Sequence, residues 1–200
     1  MAKYVFKPEK SFIARVYWHG PARTERELDS SNWQRVYVTY DQALLGNRGW
    51  LHIGHVLPNP ELEHYSSNGV GAVQFWFGCY QGGEDYRFEI RTADLEDGHP
   101  YWNHSNCRLD ISRNGYLGVY GVSEKPGHDF EANGTMTWRL PGLEPTRLSV
   151  DTPQGGLDLL TPDSKCITRL DEDDFPYLST RAGQRSWLGL KLIKMGVAHP

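Results

Sequence analysis

The sequence predicts an all-β chain, an antiparallel two-sheet sandwich of jelly-roll or lectin-like type, with a β-trefoil as the alternative. Three observations predict it. Apolar and polar residues alternate in segment after segment: Tyr86, Phe88 and Ile90 with Arg87, Glu89 and Arg91, then Cys107, Leu109 and Ile111 with Arg108, Asp110 and Ser112, and Leu148 and Val150 with Arg147, Ser149 and Asp151. A period of two gives a pleated strand one dry and one wet face, the habit of antiparallel sheets. Gly, Pro, Asn and Asp punctuate these runs as turns require. Helical patterning is nearly absent, since only 21–30 could form a turn or two and it lacks an apolar stripe.

Taken in order, the strand candidates are 10–18, 32–40, 49–56, 70–80, 85–92, 107–112, 115–122, 135–140, 146–151, 157–160, 165–170, 176–180 and 187–195. Asn114-Gly115 is the sharpest hairpin signal, because a type I′ turn needs positive φ at both central positions. The long runs 10–18, 70–80 and 187–195 suit a sandwich better than the short strands of a trefoil. Echoes such as Gly134-x-x-x-Trp138 and Gly183-x-x-x-Trp187 keep the trefoil alternative open. No linker divides the chain, so residues 1–200 read as one domain.

Composition narrows the partners. The 21 basic and 25 acidic residues are scattered, the net charge is −4, and no Lys/Arg stripe marks a nucleic-acid surface. No apolar run approaches the roughly 18 residues of a membrane span. The start, Met1-Ala2-Lys3-Tyr4-Val5-Phe6-Lys7-Pro8, carries no secretory h-region, which leads to the expectation of a protein cytoplasmic as synthesised. Cys79, Cys107 and Cys166 are odd in number and far apart, and free thiols, with Cys107 in the core, are the plain expectation.

Several motifs lack the context their chemistry needs. His52-Ile53-Gly54-His55 resembles the nucleotide-binding signature of class I aminoacyl-tRNA synthetases, but that motif opens a helix. Here Val56-Leu57-Pro58-Asn59-Pro60 follows, and its prolines forbid one. On a strand, His52 and His55 point to opposite faces and cannot grip one metal with His64. Asp171-Glu172-Asp173-Asp174 lacks the spacing of a calcium loop and reads as a solvated turn. Glu89 and Asp110, each framed by arginines, read as salt-bridged surface carboxylates rather than a glycosidase pair. Trp138 shares the parity of Met136 and Leu140 and reads as core.

The aromatic and amide residues carry the functional expectation. Saccharides offer apolar C–H faces to aromatic rings and hydroxyls to planar amide, carboxylate and guanidinium groups. Trp33, Arg35, Tyr37 and Thr39 share one strand face, and Gln74 and Trp76 another. The loop at 97–106 concentrates the same chemistry in Asp97, His99, Tyr101, Trp102, Asn103, His104 and Asn106. These seven residues with Gln74 and Trp76 form the expected ligand site of a lectin-like module for a glycan or glycoconjugate. That module needs no metal or cofactor, is more simply a binder than an enzyme, and is open to homo-oligomerisation. The alternatives are an assembly or toxin-associated interaction protein, and a metal-dependent jelly-roll enzyme using His52, His55, His99 or His104.

Overall fold

The structure, a computed structural model, describes residues 4–20, 30–40, 47–54, 70–95, 106–121, 137–172 and 175–200. The strands are β1 (Val5–Phe6), β2 (Phe12–His19), β3 (Gln34–Tyr40), β4 (Asn47–Ile53), β5 (Val70–Gly71), β6 (Val73–Gly82), β7 (Asp85–Leu95), β8 (Arg108–Ile111), β9 (Leu117–Tyr120), β10 (Gln154–Leu157), β11 (Thr168–Glu172), β12 (Phe175–Ser179) and β13 (Trp187–Met195). Every pairing among them is antiparallel, as the alternation predicts.

The strands close on themselves. β6, β7, β8, β9, β4, β3 and β2 follow one another, and β2 then pairs back to β6, which makes a seven-stranded barrel with extra strands. The expected two-sheet sandwich is thereby corrected, and a ring of seven does not divide into the three equal repeats of a trefoil. β2 makes the closure. Its residues Phe12–Arg15 pair with β6 and its Tyr17 and Trp18 pair with β3, while β13 runs along nearly all of β2. Each strand residue has two flanks, so β13 must occupy the edge opposite β3 and β6. β13 then carries β10 outward.

The inner faces fill the barrel. Phe12, Ala14, Val16 and Trp18 of β2 meet Val73, Phe75, Phe77 and Cys79 of β6, Phe88 and Ile90 of β7, and Leu117 and Val119 of β9, all buried. Phe12 stacks on Phe77 at 4.8 Å and meets Phe88 edge-on at 6.1 Å. Each buried phenylalanine of this set contributes about 1.5–3 kcal/mol by leaving water. Trp138 is core as expected. Its backbone bridges Phe88 in both directions, and its indole N–H reaches the Leu109 carbonyl at 3.4 Å. All three cysteines are free, with Cys79 and Cys107 buried.

Two local expectations fail for identifiable reasons. Residues 146–151 form no strand. Pro145, lacking an N–H, opens the 3-10 turn Pro145–Arg147, and a second turn follows as Thr152 N–H reaches the Ser149 carbonyl. The hairpin at Asn114-Gly115 forms, but not through a type I′ turn. Gly115 alone takes positive φ (+87°), and the loop closes between Ser112 and Tyr116. That is the longer solution, in which one left-handed residue ends the turn. The segment 21–30 lies outside the described residues except for Ser30.

Glycines admit large rings to the outer wall. The Trp33 indole lies across Gly189 of β13 and Gly155 of β10, where a Cβ at either position would come within 2.4 Å of a ring carbon. Gly189→Ala is therefore expected to destabilise by about 2 kcal/mol through overpacking. A calorimetric scan would read this as a midpoint lowered by about 4–8 °C. Gly20→Ala, where a Cβ meets nothing within 4 Å, serves as control and should stay within about 0.5 kcal/mol.

Candidate functional site

A cleft of about 470 Å³ opens at one end of the barrel, between the β6–β7 hairpin and the segment 139–146. Both walls follow from local sequence. β6 and β7 are joined by the two-residue turn Gly83-Glu84, which sets Gln81 directly opposite Tyr86. Both have the parity of the inner face, so where the barrel ends they look into its mouth. The other wall begins with Leu140-Pro141-Gly142-Leu143. Proline presets the second position of a type II turn, Gly142 takes the positive φ (+85°) that the third requires, and the Leu143 N–H closes onto the Leu140 carbonyl at 3.1 Å. Leu140 and Leu143 are buried members of the core and floor the cleft.

The rim is polar and held in place. Lys10 Nζ donates to Gln81 Oε1 at 2.8 Å and to the Tyr86 hydroxyl at 3.3 Å, and lies 5.0 Å from the Tyr86 ring centre. The Tyr4 hydroxyl donates to Asp85 Oδ2 at 2.5 Å, with Arg87 Nε 3.6 Å from the same oxygen. Arg139 Nη1 donates to Ser164 Oγ at 2.8 Å, and Glu144 pairs with Arg147 at 2.8 Å. The lining thus brings together one amide, carboxylates, a guanidinium and a phenol ring over an apolar floor. Among the described residues no serine, cysteine or histidine lines it.

A second aromatic group sits on the outer wall. Tyr37 stacks with His52 at 5.9 Å, His52 meets Phe175 at 4.7 Å, Phe175 meets Tyr177 at 4.5 Å, Tyr177 meets Tyr116 at 5.1 Å, and Tyr116 meets Trp50 at 6.0 Å. His52 is fully buried among these rings. The large hydrophobics exposed among the described residues are Val5, Val150 and Ile193, with no aromatic among them. The surplus rings of this wall therefore pack largely on one another.

The expected ligand residues fare unevenly. Asp97, His99, Tyr101, Trp102, Asn103 and His104 lie outside the described residues, as do His55 and His64. Trp76 corrects the expectation of a surface platform. It is fully buried, its ring lies flat on Gly78, and its indole N–H donates to the Val197 carbonyl at 2.7 Å. Phe6 of β1 packs on it from 6.1 Å. Asn106 accepts at its side-chain carbonyl from Arg91 Nη1 at 2.9 Å. Gln74 remains on the outer face of β6, half-buried and in register with Arg15. Glu89 is salt-bridged as expected, but buried rather than at the surface.

Sequence patterning marks Tyr86 only as a core-face residue of its strand and does not mark Gln81 or Arg139. The hairpin signal Gly82-Gly83 between an amide and a tyrosine marks half of the cleft. Nothing local marks the other half, which arrives from more than fifty residues away.

Among the described residues no group of three His, Cys, Asp or Glu side chains is placed to hold a metal ion, and no helix is long and apolar enough to cross a membrane. No protein-family model, curated protein or solved structure matches the chain.

Proposed function

We propose that the chain is a carbohydrate-binding module whose saccharide site is the cleft at the barrel mouth. The observation that carries this reading is the pairing of Gln81 with Tyr86 over the Leu140–Leu143 floor, faced by Arg139. A sugar ring needs an aromatic or aliphatic surface for its C–H face and planar polar groups for its hydroxyls, and the cleft supplies both. Its volume of about 470 Å³ lies in the range of small-ligand sites, and barrel mouths commonly host them.

A glycan array of neutral oligosaccharides, followed by calorimetry on the best ligand, tests it. Tyr86→Ala and Gln81→Ala are each expected to weaken binding about tenfold, or about 1.4 kcal/mol. Tyr86 also packs against the core, so Gln81→Ala keeps the test informative if the tyrosine variant unfolds. The reading is overturned by a blank array, or by a bound glycan whose affinity survives the Gln81 change and any folded Tyr86 change.

A further inference from the structure

The hydrogen bonds at the cleft fix which of its groups donate. The Lys10 ammonium can only donate. Its bonds make Gln81 Oε1 and the Tyr86 hydroxyl oxygen acceptors, so the Tyr86 proton is left to be given elsewhere. Gln81 Nε2 donates to the Gly83 carbonyl at 2.9 Å, which holds the amide in that orientation and leaves its other proton for a ligand. On the opposite wall Arg139 donates from Nη1 to Ser164 Oγ and, among the described residues, pairs with no carboxylate, although Glu144 shares the lining.

Ser164 is placed to hold that guanidinium. Its φ is +67°, a left-handed conformation that costs a serine energy and a glycine almost none. The turn that imposes it is closed by the Ser164 N–H on the Thr161 carbonyl and the Thr161 N–H on the Lys165 carbonyl, both at 2.9 Å. Backbone bonds in both directions between Arg139 and Leu160 set this turn beside the cleft. Strain of this kind gathers at ligand clamps.

An acetamido group has three parts to satisfy. Its carbonyl accepts, its N–H donates and its methyl is apolar. The cleft answers each of them, with donors on Tyr86, Gln81 and Arg139, carboxylate oxygens in its lining, and the floor of Leu140 and Leu143. A hydroxyl in the same place has no methyl for the floor. An ammonium would meet Lys10 and Arg139, and two of the lining carboxylates already face cations, Asp85 with Arg87 and Glu144 with Arg147.

We propose that the cleft selects saccharides carrying an N-acetylated amino sugar, with Ser164 positioning Arg139 for the acetamido carbonyl. The proposal rests on the carbohydrate reading above and adds the substituent that the site recognises.

Calorimetric titration with three trisaccharides of one backbone tests it. They differ only at carbon two: triacetylchitotriose carries acetamido, chitotriose ammonium and cellotriose hydroxyl. The wild type is expected to bind triacetylchitotriose about tenfold more tightly than either of the others, the worth of one or two net hydrogen bonds. Ser164→Gly eases the backbone but frees Arg139, and the preference is expected to narrow to about twofold. Ser164→Asn tolerates the left-handed conformation and offers Arg139 a side-chain carbonyl, and is expected to keep the wild-type preference. Equal affinity for triacetylchitotriose and cellotriose, or tighter binding of chitotriose, overturns the acetamido assignment. A preference unchanged in Ser164→Gly, or lost as fully in Ser164→Asn, overturns the positioning role. If none of the three binds while the array yields another glycan that Gln81→Ala weakens, this proposal alone falls. A blank array removes the carbohydrate reading beneath it.

Discussion

Replacing Arg91 by methionine is expected to destabilise the protein by about 3–5 kcal/mol, the largest effect of any single change considered. Arg91 and Glu89 are both about 1% exposed. Arg91 Nε donates to Glu89 Oε1 at 2.7 Å, its Nη2 reaches the same oxygen, and its Nη1 donates to Asn106. The Tyr80 hydroxyl donates to the other Glu89 oxygen at 3.1 Å. Two charges inside a protein are tolerated only when each satisfies the other. Truncating the arginine leaves a carboxylate with, among the described residues, a single phenol donor and no counter-charge. The double change Glu89→Gln/Arg91→Met removes both charges and is expected to recover most of the loss. Urea unfolding of the two variants measures the difference. A double variant as unstable as Arg91→Met alone would show that shape, rather than charge pairing, holds this corner together.

The same pair shows what was legible in the sequence. The alternation places Phe88 and Ile90 inside and Glu89 and Arg91 on the opposite face, as the structure has them. What alternation cannot convey is whether the opposite face stays wet. Here it does not, because chain from both ends covers it. Phe6 packs on Trp76 and Tyr80, and the Val197 carbonyl takes the Trp76 indole proton. The separation of 121 residues in that last bond puts it beyond any local pattern. Ring closure is hidden for a similar reason. Nothing in Phe12–His19 announces that one strand edge will serve β6 with its first half and β3 with its second. Of the cleft, Gln81 and Tyr86 are readable as residues flanking a tight hairpin, whereas Arg139 reaches them only through the fold.

Acidification from pH 7.5 towards pH 5 is expected to erode stability through His19, which the fold commits to its neutral form. Its ring is buried, stacked on Trp33 at 5.2 Å and 10°, with Trp187 6.1 Å away. Both nitrogens have fixed roles. The Gly20 carbonyl 3.1 Å from Nδ1 can only accept, so Nδ1 carries the proton. The Gly156 N–H 3.1 Å from Nε2 can only donate, so Nε2 must offer its lone pair. A second proton on Nε2 would point at that N–H and release the contact between β2 and the glycine-rich edge strand β10. Burial lowers the pKa below the ordinary 6.5, and the bond to the Gly20 carbonyl only partly offsets this. With a depressed value in the folded state, the unfolded chain takes up the proton first. The stabilisation is therefore complete above the ordinary histidine pKa and declines as pH falls through 6.5, until the folded pKa is reached. One proton limits the slope to about 1.4 kcal/mol per pH unit. The chain holds eight histidines, so the readout is the difference between wild type and His19→Gln, whose side chain does not ionise. Urea midpoints at pH 7.5, 6 and 5 should fall more steeply for the wild type. Parallel curves for the two proteins would mean that His19 binds its proton equally well folded and unfolded, contrary to the roles its two nitrogens hold.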